Sequence, residues 1–258
     1  MLHESNSFPG MAVRKIQEDV DIIMTNFEST KELLSPKASV VNVGNPVRRD
    51  CSVLTKSSAR EKLGIDNGKF VVLSFGGSLG AECLNNVAVD YMKNFTACRE
   101  DVIAYHIGGR NYYEDAKKKL EENKLLDNRR NVLISFTSDL PVYMAAADVV
   151  ICRAGAMTIT ELARMGKAAI IIPSVNVTDN HQLKNAKALA DAGAAVLLEE
   201  SDINSGVSAS AKLEALYSDE KLRLDMSEKV RAFARNDVEK VIFDTVKNLL
   251  DNYKKIVK

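Results

Sequence analysis

The chain has 258 residues, and its 35 basic and 35 acidic side chains cancel to a formal net charge of zero. Bulk charge therefore gives no general attraction to nucleic acid or to an anionic surface, while the length allows one large or two modest domains with their own cores. The four cysteines, Cys51, Cys83, Cys98 and Cys152, form neither a C-x-x-C pair nor a Cys/His metal spacing, which points to a reducing, cytoplasmic setting and to no metal site. No apolar run approaches the roughly 20 residues that span a bilayer, and the first residues lack the basic-then-apolar pattern of a signal peptide. An integral membrane protein is excluded on these grounds; one that sits on the membrane surface is not.

Residues 1–50 read as a helix over Pro9–Glu18, a strand over Asp21–Thr25, a helix over Glu28–Leu34 and a strand over Ser39–Val43. His3-Glu4-Ser5-Asn6, taken alone, reads as a frayed tail. Two or three strands with two helices cover both faces of a parallel sheet poorly. Residues 1–47 are therefore expected to be the later part of a Rossmann-like domain whose first half is absent. An exposed sheet edge there predicts self-association. Asn45-Pro46-Val47-Arg48-Arg49-Asp50 is the expected linker into a complete second domain over 48–234.

From Lys69 onward short β-branched runs alternate with amphipathic segments. Strands are expected at Phe70–Phe75, Val102–Ile107, Val132–Ser135, Val149–Cys152, Ala169–Ile172 and Ala195–Leu198. Helices are expected at Ala81–Thr96, Tyr112–Asn123, Pro141–Ala146, Thr158–Met165 and Gln182–Ala192. Repeated βα units argue for an α/β fold with a parallel, Rossmann-like sheet. Asp139 and Asp179 are candidate N-caps. After Asp202 the pattern is helical over Ala209–Tyr217, Asp219–Ala234 and Asp237–Tyr253. The stretch 235–258 is expected to pack back toward the N-terminal domain.

Two strand-to-helix turns, Arg153-Ala-Gly-Ala-Met-Thr158 and Ser174-Val-Asn-Val-Thr-Asp-Asn-His-Gln182, fall at one edge of the sheet, beyond the carboxyl ends of the strands where open α/β folds bind ligands. First-turn N–H groups suit a phosphate, and Glu161 one turn further in suits ribose hydroxyls. An acidic residue near a helix start is also an ordinary dipole partner; Gly155 just before it favours the ligand role. Gly76-Gly77-Ser78-Leu79-Gly80 lets backbone approach a phosphate, although a plain βα turn accounts for it equally and it is neither a dinucleotide fingerprint nor a Walker loop. Gln182 and Asn185 share one helical face. His181 is a surface or capping residue more readily than a catalytic one. Arg48 suits a diphosphate or a base, or stands solvated in a linker, and His106-Ile-Gly-Gly-Arg110 reads as a βα loop near base or sugar.

His3-Glu4-x-Asn6, Gly44-Asn-Pro-Val-Arg48, Gly76-Gly-Ser-x-Gly80, Cys152-Arg-x-Gly-Ala156 with Thr158 and Glu161, and Asn176-Val-Thr-Asp-Asn-His-Gln-x-x-Asn-Ala186 occur in one order. That order resembles the MurG family, the peptidoglycan N-acetylglucosaminyltransferases that convert lipid I to lipid II, from His3 to about Ala234. The resemblance implies a GT-B architecture, two Rossmann-like domains facing across a cleft, with UDP-N-acetylglucosamine on the second. It implies that Asn6 reaches the sugar and that Arg48 and Ser78 contact the uridine diphosphate. Thr137 lies beside uracil through its backbone, and Ala156, Met157 and Thr158 line the diphosphate. Glu161 holds the ribose, and Gln182 and Asn185 face the N-acetylglucosamine. The implied reaction is inverting transfer to the C4 hydroxyl of the muramyl sugar, without cofactor or metal and without nucleic acid as a partner, at the inner face of the cytoplasmic membrane.

The family's N-terminal Gly-rich loop, which bears the histidine usually taken as base, has no counterpart here. Leu79 stands where glutamine is usual, and Ala154 where serine is common. The expectation is a lipid I N-acetylglucosaminyltransferase lacking the N-terminal part of its first domain, which binds the donor and alone transfers no sugar. The alternatives are the donor-binding subunit of a split glycosyltransferase and a non-catalytic nucleotide-sugar-binding fragment. A UDP-sugar epimerase of similar fold would need its own acids facing the sugar, and none can be placed.

Overall fold

The β-branched runs pair into two all-parallel sheets in the computed structural model, which describes residues 1–256. In chain order the first elements are β1 (Leu2–Glu4), α1 (Met11–Ile16), β2 (Ile23–Thr25), a 3-10 helix at Glu28–Leu33 and β3 (Val40–Asn42). These make a three-stranded sheet in the order β1-β2-β3. Then follow α2 (Asp50–Val53), α3 (Lys56–Leu63), β4 (Phe70–Phe75), α4 (Glu82–Tyr91), β5 (Val102–Ile107), α5 (Tyr113–Glu122), β6 (Asn131–Ile134) and α6 (Leu140–Ala146). The remainder is β7 (Val149–Cys152), α7 (Ala156–Met165), β8 (Ala169–Ile171), α8 (His181–Asp191), β9 (Val196–Leu197), α9 (Glu200–Asn204), α10 (Ala209–Ser218), α11 (Glu220–Arg231) and α12 (Val238–Ile256). Residues 257 and 258, the end of the stretch 235–258 expected to pack back toward the N-terminal domain, lie outside the described residues.

The larger sheet runs β6-β5-β4-β7-β8-β9. All six residues of β4 and all four of β7 are buried, as a sheet covered on both faces requires. Alternation along β4 divides the interior. Phe70 and Val72 meet α4 and α10 through Leu84, Tyr91 and Leu213. Val71, Leu73 and Phe75 meet α6 and α7 through Met144, Ile159 and Leu162. Each fully buried side chain of this size contributes about 2 kcal/mol.

The strand order sets the site. After β4 the chain moves outward to β5 and β6, then returns to lay β7 on the other side of β4. Helix α4 therefore leaves toward one face and α7 toward the other, opening a crevice beyond the ends of β4 and β7.

Several sequence expectations need correction. The segment expected to fray is β1, paired with β2 from Leu2↔Ile23 to Glu4↔Thr25. Glu4 is buried, and its carboxylate accepts from the backbone of Asn6 at 2.9 Å and of Gly10 at 2.8 Å. The stretch Glu28–Leu33 winds as a 3-10 helix, with the buried Thr30 hydroxyl bonded to the carbonyls of Asn6 and Ser7 at 3.2 Å each. Asp139 occupies the N-cap position of α6 but makes no side-chain cap; Thr137 Oγ1 instead accepts from the Asp139 N–H at 2.9 Å. Asp179 is no cap either. It sits at φ 55° in a short 3-10 turn before α8, where Asn180 is the N-cap residue, and its carboxylate is drawn to Arg14 at 3.1 Å.

Helix α12 lies against the small sheet. The Tyr253 hydroxyl donates to Asp21 Oδ1 at 2.5 Å, and Arg235 at the helix entrance donates to the Asn42 carbonyl at 2.8 Å. Among the described residues no helix is long and apolar enough to cross a membrane, and no group of three or more His, Cys, Asp or Glu side chains could hold a metal.

Candidate functional site

Two cavities flank the turn after β4 and share Gly77 and Ser78, so they form one groove across the crevice. The smaller, about 390 Å³, is walled by Phe75, Ile107, Phe136 and Leu140 and rimmed by Arg48, Thr137 and Thr158. Its apolar walls suit the face of a flat ring. Phe136 is held from one side by the Arg110 guanidinium, 4.0 Å from the ring centre. The Thr137 hydroxyl accepts from the Asp139 N–H and keeps its own O–H to donate.

The larger cavity, about 750 Å³, is mixed in character and much more polar than the smaller one. It is lined by Gly76–Glu82, Arg153, Ser174, Asn176, Gln182 and Glu200. Arg153 is pinned by three acceptors, Glu200 Oε1 at 2.6 Å and the carbonyls of Ile172 and Pro173 at 3.2 Å each. Gln182 Oε1 accepts from the Ser174 N–H at 2.9 Å, which fixes the loop after β8 to the start of α8. Leu79 stands 56% exposed on the rim.

The turn 76–80 is rigid for a steric reason. A Cβ on Gly80, at φ +88°, would stand 2.0 Å from the Gly108 carbonyl, and one on Gly109, at φ +81°, 2.1 Å from the Gly80 nitrogen. The two βα loops therefore touch backbone to backbone, sealed by Arg110 N–H to Ser78 O at 3.2 Å and Asn111 N–H to Leu79 O at 3.0 Å. His106-Ile-Gly-Gly-Arg110 thus braces the glycine turn.

Helix α7 begins at Gly155 with no side-chain cap, so the first-turn N–H groups of Ala156, Met157 and Thr158 have no side chain satisfying them. Thr158 reaches the small cavity and Met157 is 44% exposed. One turn on, burial pushes the Glu161 carboxyl above its ordinary range, and the opposing pull comes from Arg48, whose Nε lies 3.9 Å from Glu161 Oε1. The other end of Arg48 donates to the Ser138 carbonyl at 2.8 Å. Arg48 thus bridges α7 and the loop after β6 at the mouth of the small cavity.

The structure thus brings Arg48, Ser78, Thr137 and Thr158 around one cavity and Ser78 and Gln182 around the other. Asn6 and Asn185 lie at the junction between the small sheet and α8, and their amides bond to each other at 3.1 Å. Asn185 is fully buried. Sequence reasoning missed Phe136, an aromatic left exposed just past β6, and the Arg153–Glu200 pair, whose members are 47 residues apart. Cys152 is buried, and burial raises its thiol far above the usual range, so it is inert as a nucleophile.

The parallel sheet, with its switch point between β4 and β7 and the groove across it, has the α/β architecture of the GT-B glycosyltransferases. The family profile described as the glycosyltransferase family 28 C-terminal domain matches residues 71–242, and the chain belongs to that family. A UDP-N-acetylglucosamine--N-acetylmuramyl-(pentapeptide) pyrophosphoryl-undecaprenol N-acetylglucosamine transferase from Caldanaerobacter subterraneus subsp. tengcongensis is 34% identical over 96% of this chain and 67% of its own length. The protein of the same name from Caldicellulosiruptor saccharolyticus is 38% identical over 88% of the chain and 60% of its own length. The chain thus spans roughly two thirds of the length of such relatives. The crystal structure of Acinetobacter baumannii MurG superposes with a TM-score of 0.73 at 26% identity, over 96% of this chain and 66% of that one. A UDP co-structure of Staphylococcus aureus MnaA, at 16% identity and a TM-score of 0.66, shares the fold.

Proposed function

We propose that the groove binds UDP-N-acetylglucosamine and that the chain serves the inverting transfer of its sugar to lipid I, forming lipid II, at the inner face of the cell membrane. The observation that carries this reading is the division of one groove into an apolar, aromatic-walled end and a polar, glycine-lined end. The apolar end fits uracil, against Phe136 and the backbone at Thr137. Glu161 and Arg48 at its mouth fit the ribose and the adjoining phosphate. Ser78 and the uncapped N–H groups of Ala156, Met157 and Thr158 fit the diphosphate. The polar end, with Gln182 on its wall and Asn6 held beside α8 by its bond to Asn185, fits N-acetylglucosamine.

In this reading residues 1–47 belong to the acceptor-side domain, 48–234 to the UDP-sugar domain, and 235–258 return to the first. The bond from sugar C1 to the diphosphate oxygen breaks as the acceptor's C4 hydroxyl oxygen attacks from the opposite face. Its proton passes to a base outside the residues assigned above. Charge gathers on the departing diphosphate, where the α7 N-terminus lowers its energy. Calorimetric titration with UDP tests the assignment: saturable binding to the folded chain is expected, and a folded chain that binds no UDP overturns it.

A further inference from the structure

We propose that Asn185 is a positioning residue for the sugar end of the groove, acting by fixing the amide orientation of Asn6, and not a ligand itself. The proposal rests on the donor-site reading above.

The Asn185 side chain has no exposure, and protein groups take up its polar atoms. Oδ1 accepts from the Ser7 N–H at 2.9 Å and the Ser7 hydroxyl at 2.8 Å. Nδ2 donates to the Ala154 carbonyl at 3.2 Å and to Asn6 Oδ1 at 3.1 Å. Two of these partners are backbone groups with fixed roles: an N–H can only donate and a carbonyl can only accept. The amide therefore has one orientation.

That orientation propagates. Because Asn185 presents a donor, Asn6 must present its oxygen, and Asn6 Nδ2 turns to Glu4 Oε1 at 3.2 Å. The Glu4 carboxylate is itself buried and anchored by the Asn6 and Gly10 N–H groups. Asn6 is only partly buried, and each of its amide atoms keeps one further hydrogen-bonding position. Asn185 and Glu4 together decide which atom of Asn6 is offered where.

The same side chain joins three pieces of backbone. Ala154 lies between Arg153, on the wall of the polar cavity, and Gly155, the N-cap of α7. Asn185 is on α8, three residues after Gln182, also on that wall. Ser7 belongs to the segment after β1. One buried amide therefore registers the turn after β7, the start of α8 and the N-terminal segment. None of its hydrogen-bond partners walls the apolar cavity.

Asn185→Asp separates positioning from bulk. Its carboxylate still accepts both bonds from Ser7 but cannot donate to Ala154 or Asn6, so the Asn6 amide stands between two carboxylates and loses its single fixed orientation. The affinities for UDP and for UDP-N-acetylglucosamine are measured by calorimetry on the whole chain, with thermal denaturation as the check on folding. The expected result is at least a ten-fold loss for UDP-N-acetylglucosamine with less than a three-fold change for UDP. In an Asn6→Ala background, the same substitution should change the ratio of the two affinities by less than two-fold. If Asn185→Asp does not fold, Asn185→Ser, which loses the reach to Asn6 without adding charge, takes its place with the same expectations. An unchanged ratio, an equal loss for both ligands, or a full ten-fold loss in the Asn6→Ala background overturns the proposal. Absence of UDP binding to the unsubstituted chain overturns the donor-site reading instead, before any variant is compared.

Discussion

Two polar clusters sit at neighbouring strand ends of the large sheet, and they are finished differently. On the α4 side, Ser74, Asn85, Tyr91 and His106 are wholly enclosed. Ser74 Oγ bonds to both Tyr91 OH and His106 Nδ1 at 2.7 Å, and His106 Nε2 to Asn85 Oδ1 at 2.9 Å. Asn85 passes the chain on to the Tyr112 carbonyl at 3.0 Å. On the α7 side, Glu161 and Arg48 face each other at 3.9 Å, beyond good hydrogen-bonding distance. The first cluster has satisfied its donors and acceptors internally. The second holds a partly buried carboxylate one turn into an uncapped helix, and its partner Arg48 lines the small cavity. A closed network serves stability, while an open one has capacity left for a ligand.

His106→Leu gives the largest expected effect. It strands the Ser74 and Asn85 partners in the interior and should cost about 4 kcal/mol of unfolding free energy by chemical denaturation, leaving UDP affinity within two-fold. A variant of normal stability that fails to bind UDP would exchange the roles of the two clusters.

The pH dependence sharpens the same point. Burial lowers the His106 pKa from 6.5 to about 4. Between those values the unfolded chain takes up a proton that the folded chain refuses, so stability falls as pH falls. The loss is about 1.4 kcal/mol per pH unit, or roughly 3 kcal/mol across the window. Denaturation curves of wild type and His106→Leu at pH 6.5 and 4.5 should therefore converge as pH falls; parallel curves would remove His106 as the source.

Glu161→Ala is the smaller effect, weakening UDP binding by about 2 kcal/mol with little change in unfolding free energy. An unchanged dissociation constant takes Glu161 out of the site, and a large loss of stability places it with the closed cluster.

Much of the large sheet was legible because its strands are continuous β-branched runs and its helices are amphipathic. From Phe70 to Met165 the expected elements differ from the observed ones mainly by a residue or two at their ends, apart from the π-helical turn at Met92–Thr96 that closes α4. Helix α3 was overlooked even though Thr55 and Ser58 form a capping box and Gly64 closes it at φ 65°; its polar composition hides the apolar period. The glycine turn, Arg48, Glu161 and Gln182 could be singled out from composition and position. What they border could not, because Phe136 and Glu200 reach the groove through loops far apart in sequence. Asn185 shows a different limit: spacing puts it on the Gln182 face of α8, but only the contacts with Ser7 and Ala154 reveal that this face points inward there.

The contact between Gly80 and Gly109 has a consequence for motion. Two loops locked backbone to backbone cannot fold over a ligand separately, so the floor of the groove behaves as a fixed datum. The turn beside the opposite wall is secured by side chains instead: Asp179 and Asn180 hold left-handed backbone at φ 55° and 51°, Arg14 ties the turn to the small sheet's side, and Gln182 holds the Ser174 N–H. The glycine floor is thus an anvil whose shape is set by packing alone, with no ligand needed to complete it.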